Sequence, residues 1–207
     1  MLLPLTDAAA AAVLAGGGVL LLPTDTICGL HARADRPEAL ARIAALKGRA
    51  AGQPLLVLAA SYDQATTLCG PLSAGQAALC RAAWPGPFTF ILPAGAGLAP
   101  AVTDTARGTV AIRVPARADL RRLIEQAGGP LASTSANRSG QAPLAALAAA
   151  VDGFGDQVDG WWEGVPAPVD GSVAAGSPSA LVDLTTDPPT LLRRGPVPLP
   201  EAGPGVS

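Results

Sequence analysis

The sequence predicts one α/β domain with a twisted, mixed sheet flanked by helices, on three observations. Short apolar runs of strand length alternate with helix-length segments, at a spacing too irregular for a strict βαβ repeat. Hydrophobic residues make up 49% of the 207 positions, enough to bury a sizeable core, and charged residues only 14%, too few for a disordered chain or a coiled coil. Aromatics are 3%, so that core has to be built from Ala, Leu and Val.

Asp7 can cap a first helix that runs to Ala15 and ends at Gly16-Gly17-Gly18. Val19–Leu22 reads as a buried strand leading into Pro23-Thr24-Asp25-Thr26. Asp35 and Glu38 have capping-box spacing, with Pro37 in the first turn. They open a helix that sets Leu40, Ile43, Ala44 and Leu46 on one face and stops at Lys47-Gly48-Arg49. Leu55–Leu58 is the next strand. Tyr62–Leu68 and Ser73–Ala83 read as helices, the second broken by Trp84-Pro85-Gly86-Pro87. Phe88–Leu92 and Thr109–Val114 are strands, and Leu120–Ala127 is a helix. Pro130-Leu131-Ala132 reads as the end of a buried strand that opens into a polar loop, Ser133–Gly140. An Ala-rich helix covers 143–151, and the short strands Ala180–Leu184 and Thr190–Leu192 follow in a stretch rich in Gly, Pro and Asp. Residues 1–195 form the domain and 196–207 a flexible C-terminal tail.

A formal charge of −2 argues against a broad phosphate-binding surface but leaves room for a local basic pocket. Cys28, Cys69 and Cys80 make neither a CxxC pair nor a disulfide ladder, so free thiols in a reducing cytoplasm are expected. The apolar run 8–22 is too short for a membrane span, is interrupted by Gly16–Gly18 and has no basic leading region.

Three stretches can hold a ligand. Ser133-Thr134-Ser135-Ala136-Asn137-Arg138-Ser139-Gly140 offers hydroxyl, amide and backbone donors at a strand exit, where open α/β sheets bind ligands. Such a segment is equally a polar turn that bonds its own backbone. Lys47 and Arg49 sit at a helix end, where cations suit the dipole, yet Gly52-Gln53-Pro54 leads straight into a strand, so both also stand at a sheet edge. Arg113 lies within Val110-Ala111-Ile112-Arg113-Val114 and faces away from Val110, Ile112 and Val114. It needs an anion, either an internal carboxylate or a ligand. His31 is the single histidine, so neither a Ser-His-Asp set nor a protein-held metal site is expected. No GxxxxGK[ST] loop is present. With no paired nucleophile and base, the chemistry expected is positioning and charge stabilisation, and replacing His31 should spare most activity.

Taken in order, four motifs resemble the YrdC family, the L-threonylcarbamoyl-AMP synthases. They are Pro23-Thr24-Asp25-Thr26 with Gly29; Lys47-Gly48-Arg49 with Pro54-Leu55; Trp84-Pro85-Gly86-Pro87-Phe88-Thr89; and Ala111-Ile112-Arg113-Val114-Pro115 followed by Ser133–Gly140. The likeness extends through Ser179-Ala180-Leu181-Val182-Asp183 and Leu192-Arg193-Arg194-Gly195. It implies a YrdC-like domain with a concave ligand cavity, in a short form without the extra C-terminal domain of longer members. It further implies synthesis of threonylcarbamoyl-AMP and pyrophosphate from L-threonine, CO2 or bicarbonate and ATP. A separate transferase complex would then modify the adenosine next to the tRNA anticodon.

By motif, Thr26, Arg113, Ser133 and Ser179 resemble the threonine contacts. Lys47, Arg49, Gln53, Thr109, Ser135, Asn137 and Arg193 resemble the ATP contacts, with Lys47 and Arg49 catalytic through their charge. Mg2+ would be held mainly by the ATP phosphates. Three departures bear on substrate geometry rather than reaction class: Leu58 replaces a common His, Ile27-Cys28 a usual aromatic, and Gln53 a common Asn. Two rivals remain. One is the related carbamoyl-adenylating domain of hydrogenase maturation, whose acylphosphatase and Cys-rich zinc modules find no room in 207 residues. The other is a non-catalytic RNA-binding module of this fold, with tRNA contact expected to be weak, since a charge of −2 and few aromatics give little support for a basic, stacking face.

Overall fold

Ten strands form one mixed sheet among the residues that the computed structural model describes, which are 4–48, 53–137, 146–164 and 176–200. In chain order the strands are β1 (Leu20–Pro23), β2 (Cys28–Arg33), β3 (Leu56–Leu58), β4 (Phe88–Pro93), β5 (Thr103–Asp104), β6 (Thr109–Arg113), β7 (Leu131–Ser135), β8 (Gly160–Trp161), β9 (Ala180–Asp183) and β10 (Thr190–Arg193). The helices are α1 (Asp7–Ala15), α2 (Pro37–Lys47), α3 (Tyr62–Thr66), α4 (Ala74–Ala83), α5 (Ala118–Gln126) and α6 (Leu147–Phe154). Across the sheet the order is β10-β9-β4-β6-β3-β7-β2-β1-β8, with β5 beside β6. Three pairs on that path, β1–β8, β3–β6 and β4–β9, are parallel and the rest antiparallel.

Alternation along the strands divides their residues between two faces. On one face Leu30, Ala32, Val57, Ala132, Ile112, Phe90 and Val182 join the main core, which α2, α4 and α6 cover with Ala39, Leu40, Ile43, Leu79, Cys80, Ala83, Ala150 and Phe154. On the other face α1 and α5 cover one half only. There Leu14, Leu120, Leu123 and Ile124 pack on Leu20, Leu22, Leu58 and Leu131 in a smaller core. The other half of that face carries the candidate site.

Several local expectations change. Thr6, not Asp7, caps α1, its hydroxyl accepting from the Ala9 N–H at 3.3 Å. The Asp35/Glu38 capping box is not formed: Arg36 is the N-cap without a side-chain bond, and Asp35 pairs with Arg33 at 2.6 Å. The box does form at α4, between Ser73 and Gln76. β2 has no counterpart among the expected strands, because Cys28-Gly29-Leu30-His31-Ala32-Arg33 has neither a β-branched residue nor a continuous apolar run. Ser133, Thr134 and Ser135 belong to β7 rather than to a loop, since both neighbouring strands pair with them: Ser133 with His31 and Leu56, Thr134 with Leu30, Ser135 with Gly29. Arg113 closes β6 instead of lying within it. Residues 138–140, 143–145 and 201–207 of the expected loop, helix and tail lie outside the described residues, while Val197 and Leu199 pack half-buried against the main core.

Candidate active site

The open half of the sheet is the floor of a cavity of about 350 Å³. Its floor comes from residues that alternation turns away from the main core: Gly29 of β2, Leu56 and Leu58 of β3, Thr89 of β4, Ala111 and Arg113 of β6, Ser133 and Ser135 of β7, and Leu181 of β9. Segments beyond strand and helix ends add Thr24, Thr26, Gln53, Asn137 and Ser179, while Lys47 ends α2 and Arg193 ends β10. Three cations and many hydroxyls therefore share one concavity, and none of its lining residues among the described ones bears a carboxylate.

Lys47 reaches the cavity because α2 stops there. Gly48 adopts the left-handed conformation (φ 59°, ψ 39°) that ends the helix, leaving Lys47 as its last residue and only 6% exposed. Its ammonium donates to the Ser135 carbonyl and to Asn137 Oδ1, both at 2.7 Å. The Ser135 hydroxyl donates to the same Asn137 oxygen at 2.5 Å. The helix-end reading of this cation and the ligand-site reading are thus compatible: the helix terminates, and the side chain turns inward.

Arg113 combines an internal ion pair with a place in the cavity wall. Its Nη2 lies 2.5 Å from Asp25 Oδ1, with both side chains almost fully buried. The contact is close but off the hydrogen-bond axis, so neither Asp25 oxygen nor Nη2 has an aligned hydrogen-bond partner among the described residues. Nε donates to the Gly86 carbonyl at 3.1 Å and Nη1 to Thr26 Oγ1 at 2.7 Å. The Thr24 hydroxyl bonds the Ile27 carbonyl at 2.8 Å and lies 3.0 Å from the Thr26 hydroxyl, which ties the 24–27 turn to the arginine. Across the floor, Arg193 Nε donates to the Ser179 carbonyl at 3.0 Å, and the Ser179 and Thr89 hydroxyls share a bond of 2.8 Å. Partial desolvation and then repulsion from Arg113 hold the Arg193 guanidinium below its ordinary pKa. Two guanidiniums that repel across a cavity with no carboxylate among its described residues favour an anionic occupant.

His31 lies under this floor and is fully buried. Burial first, opposed by the Gly29 carbonyl and aided by the charge of Arg113, pushes its pKa down to about 4. It is therefore neutral at pH 7. In the unfolded chain it takes its proton near 6.5, so acid favours unfolding: the stabilisation is complete above that pH and falls away as pH drops towards 4. The loss amounts to about 3 kcal/mol. Urea titrations at pH 7 and pH 4.5 are expected to show that His31→Leu loses distinctly less stability on acidification than wild type. Equal losses in the two proteins would refute this. Cys28 faces the opposite core, and burial pushes its thiol up to about 12.

Of the residues singled out from sequence, Lys47, Gln53, Ser135, Asn137, Arg193, Thr26, Arg113, Ser133 and Ser179 all line this cavity. Thr109 does not. It shares a face with Arg113, but four residues of strand, about 13 Å, separate them, and it is buried where β6 pairs with Pro93 and Asp104. Arg49 lies outside the described residues. Asp25 and Thr89 join the site without a role expected from the sequence. The signal for Asp25 was available: a carboxylate directly after a buried strand is one of few anions that can meet a buried arginine.

A family model for Sua5, YciO and YrdC proteins, described as "Telomere recombination", matches residues 12–195. The chain belongs to this family. The match spans the whole floor of the cavity, from Thr24 to Arg193. Among Sua5/YciO/YrdC relatives, the threonylcarbamoyl-AMP synthase of Pyrococcus abyssi is 36% identical over 196 residues, which cover 93% of this chain and 54% of that protein. The threonylcarbamoyl-AMP synthase of Halorhodospira halophila is 40% identical over 150 residues, covering 72% of this chain and 78% of that one. The crystal structure of Pyrococcus abyssi Sua5 complexed with L-threonine superposes with a TM-score of 0.81 at 33% identity, over 91% of this chain and 54% of that one. The chain thus spans about half the length of the archaeal family member.

Proposed function

We propose that this chain is a threonylcarbamoyl-AMP synthase, forming threonylcarbamoyl-AMP and pyrophosphate from L-threonine, CO2 or bicarbonate, and ATP. The observation that carries the reading is the gathering of Lys47, Arg113 and Arg193 among hydroxyls in one cavity. A carbamate on the threonine nitrogen is already an anion. Its oxygen can attack the α-phosphorus as the bond to pyrophosphate breaks, with no base to remove a proton. Charge neutralisation and in-line placement suffice, and neutral, buried His31 is not needed as a base.

Lys47, with Gln53, Ser135, Asn137 and Arg193, would hold the nucleotide, while Arg113, Thr26, Ser133 and Ser179 would hold threonine. Among the described residues there is no cluster of three or more His, Cys, Asp or Glu able to hold a metal, and no carboxylate in the cavity wall. The described groups therefore do not fit a Mg2+ cage, and the ion would enter on the ATP phosphates. A threonylcarbamoyl transferase would consume the product and modify the adenosine beside the tRNA anticodon.

Pyrophosphate release from ATP is expected to require both threonine and bicarbonate. Release that ignores threonine would overturn the reading, as would salt-sensitive tRNA binding with no release at all.

A further inference from the structure

Ser133 Oγ lies 3.0 Å from His31 Nε2, across the β2–β7 pair in which the two residues are directly opposite. The other ring nitrogen, Nδ1, lies 3.0 Å from the Gly29 carbonyl. A carbonyl can only accept, so Nδ1 carries the proton and donates, and Nε2 of the neutral ring can only accept. The Ser133 hydroxyl hydrogen is therefore committed to His31. What Ser133 turns to the cavity is lone pairs.

The ring has little freedom to do otherwise. It packs over Gly29 on the same strand face, where a Cβ would come within 2.8 Å of its Cε1 and within 2.7 Å of the Thr134 carbonyl. On its other side is β1, with Leu20 as its register partner. His31 itself does not line the cavity, but Gly29 and Ser133 do.

We infer that His31 is a positioning residue: it fixes Ser133 as an obligate hydrogen-bond acceptor, so that the amino acid bound in the cavity must present a donor there, its nitrogen or hydroxyl, and not its carboxylate. The carboxylate is left to Arg113. This inference rests on the proposed use of threonine. Without His31, the Ser133 hydroxyl turns freely and shows its hydrogen as often as its lone pairs.

The test is threonine-dependent pyrophosphate release from the wild type and four variants with native circular dichroism. His31→Leu, which fills the space without an acceptor, is expected to raise the KM for threonine about 3- to 10-fold, the range of one oriented hydrogen bond, with kcat nearly unchanged. His31→Gln can place an acceptor near the Nε2 position and is expected to stay within about twofold of wild type. In a Ser133→Ala background, His31→Leu is expected to add nothing, because the group it orients has gone. An equal rise in KM with and without Ser133 would overturn the inference and leave His31 a packing residue, as would a His31→Leu protein with unchanged KM. If the wild-type protein does not depend on threonine, the functional reading falls and takes this inference with it. Threonine dependence with uncoupled variants overturns the inference alone.

Discussion

Lys47→Ala is expected to lower turnover on the order of 10²-fold or more while leaving the fold nearly intact. The two effects separate because the Ser135 and Asn137 oxygens that accept from Lys47 have other donors. The Ser135 carbonyl also accepts the Asn137 N–H at 3.0 Å, and Asn137 Oδ1 also accepts the Ser135 hydroxyl. Removing the ammonium therefore orphans neither acceptor, which keeps the cost to stability small. The cavity, by contrast, loses the cation that stands beside the Ser135–Asn137 donors, and with it stabilisation of charge on a transferring phosphate. Pyrophosphate release and a thermal melt on the same preparation check both halves. A folded variant with near wild-type turnover would remove Lys47 from the nucleotide site.

Arg113→Ala is expected to damage both binding and stability, and a second substitution separates the two. Deleting the guanidinium strands the Asp25 carboxylate, whose side chain is fully buried and has no aligned hydrogen bond. Breaking one side of such a pair costs about 3–5 kcal/mol. Threonine affinity is expected to fall about 10- to 150-fold with the lost charged hydrogen bonds, and ATP affinity much less. Adding Asp25→Ala removes the stranded charge, so the double variant should regain much of the stability but none of the threonine affinity. Urea titration and calorimetric titration of each ligand measure the two separately. If threonine affinity returns with stability, Arg113 is only a structural ion pair. If ATP binding collapses while threonine binding persists, the arginine belongs to the nucleotide.

The parts of this site legible in the sequence were those written in a short local pattern. Lys47 beside Gly48 marks a helix end, and Arg113 between apolar residues marks a buried charge. Both inferences need only neighbours along the chain. What stayed hidden depends on strand pairing. β2 escaped notice because His31 and Gly29 interrupt its apolar run, and without β2 nothing indicated that His31 would meet Ser133, 102 positions away. The same gap turned Ser133-Thr134-Ser135 into an apparent loop, since polar residues read as a turn until β2 and β3 are seen to flank them. Asp25 was visible as a residue but not as a partner, because the turn that presents it is held by Thr24 and Thr26 against an arginine 88 positions away. Thr109 shares a sheet face with Arg113, but its distance along β6, which the motif does not carry, puts it outside the cavity.

The half-covered sheet also decides how a ligand is received. Ser133, Arg113 and Thr89 alternate along their strands with Ala132, Ile112 and Phe90, which have no exposed surface in the main core. To rearrange that floor, the strands would have to give up core packing, which is the most expensive local motion available to a folded domain. The donors and cations on these strands were therefore ordered when the protein folded. Little disorder is left there for a substrate to remove, and the entropy lost when it docks on the floor is mainly the substrate's own.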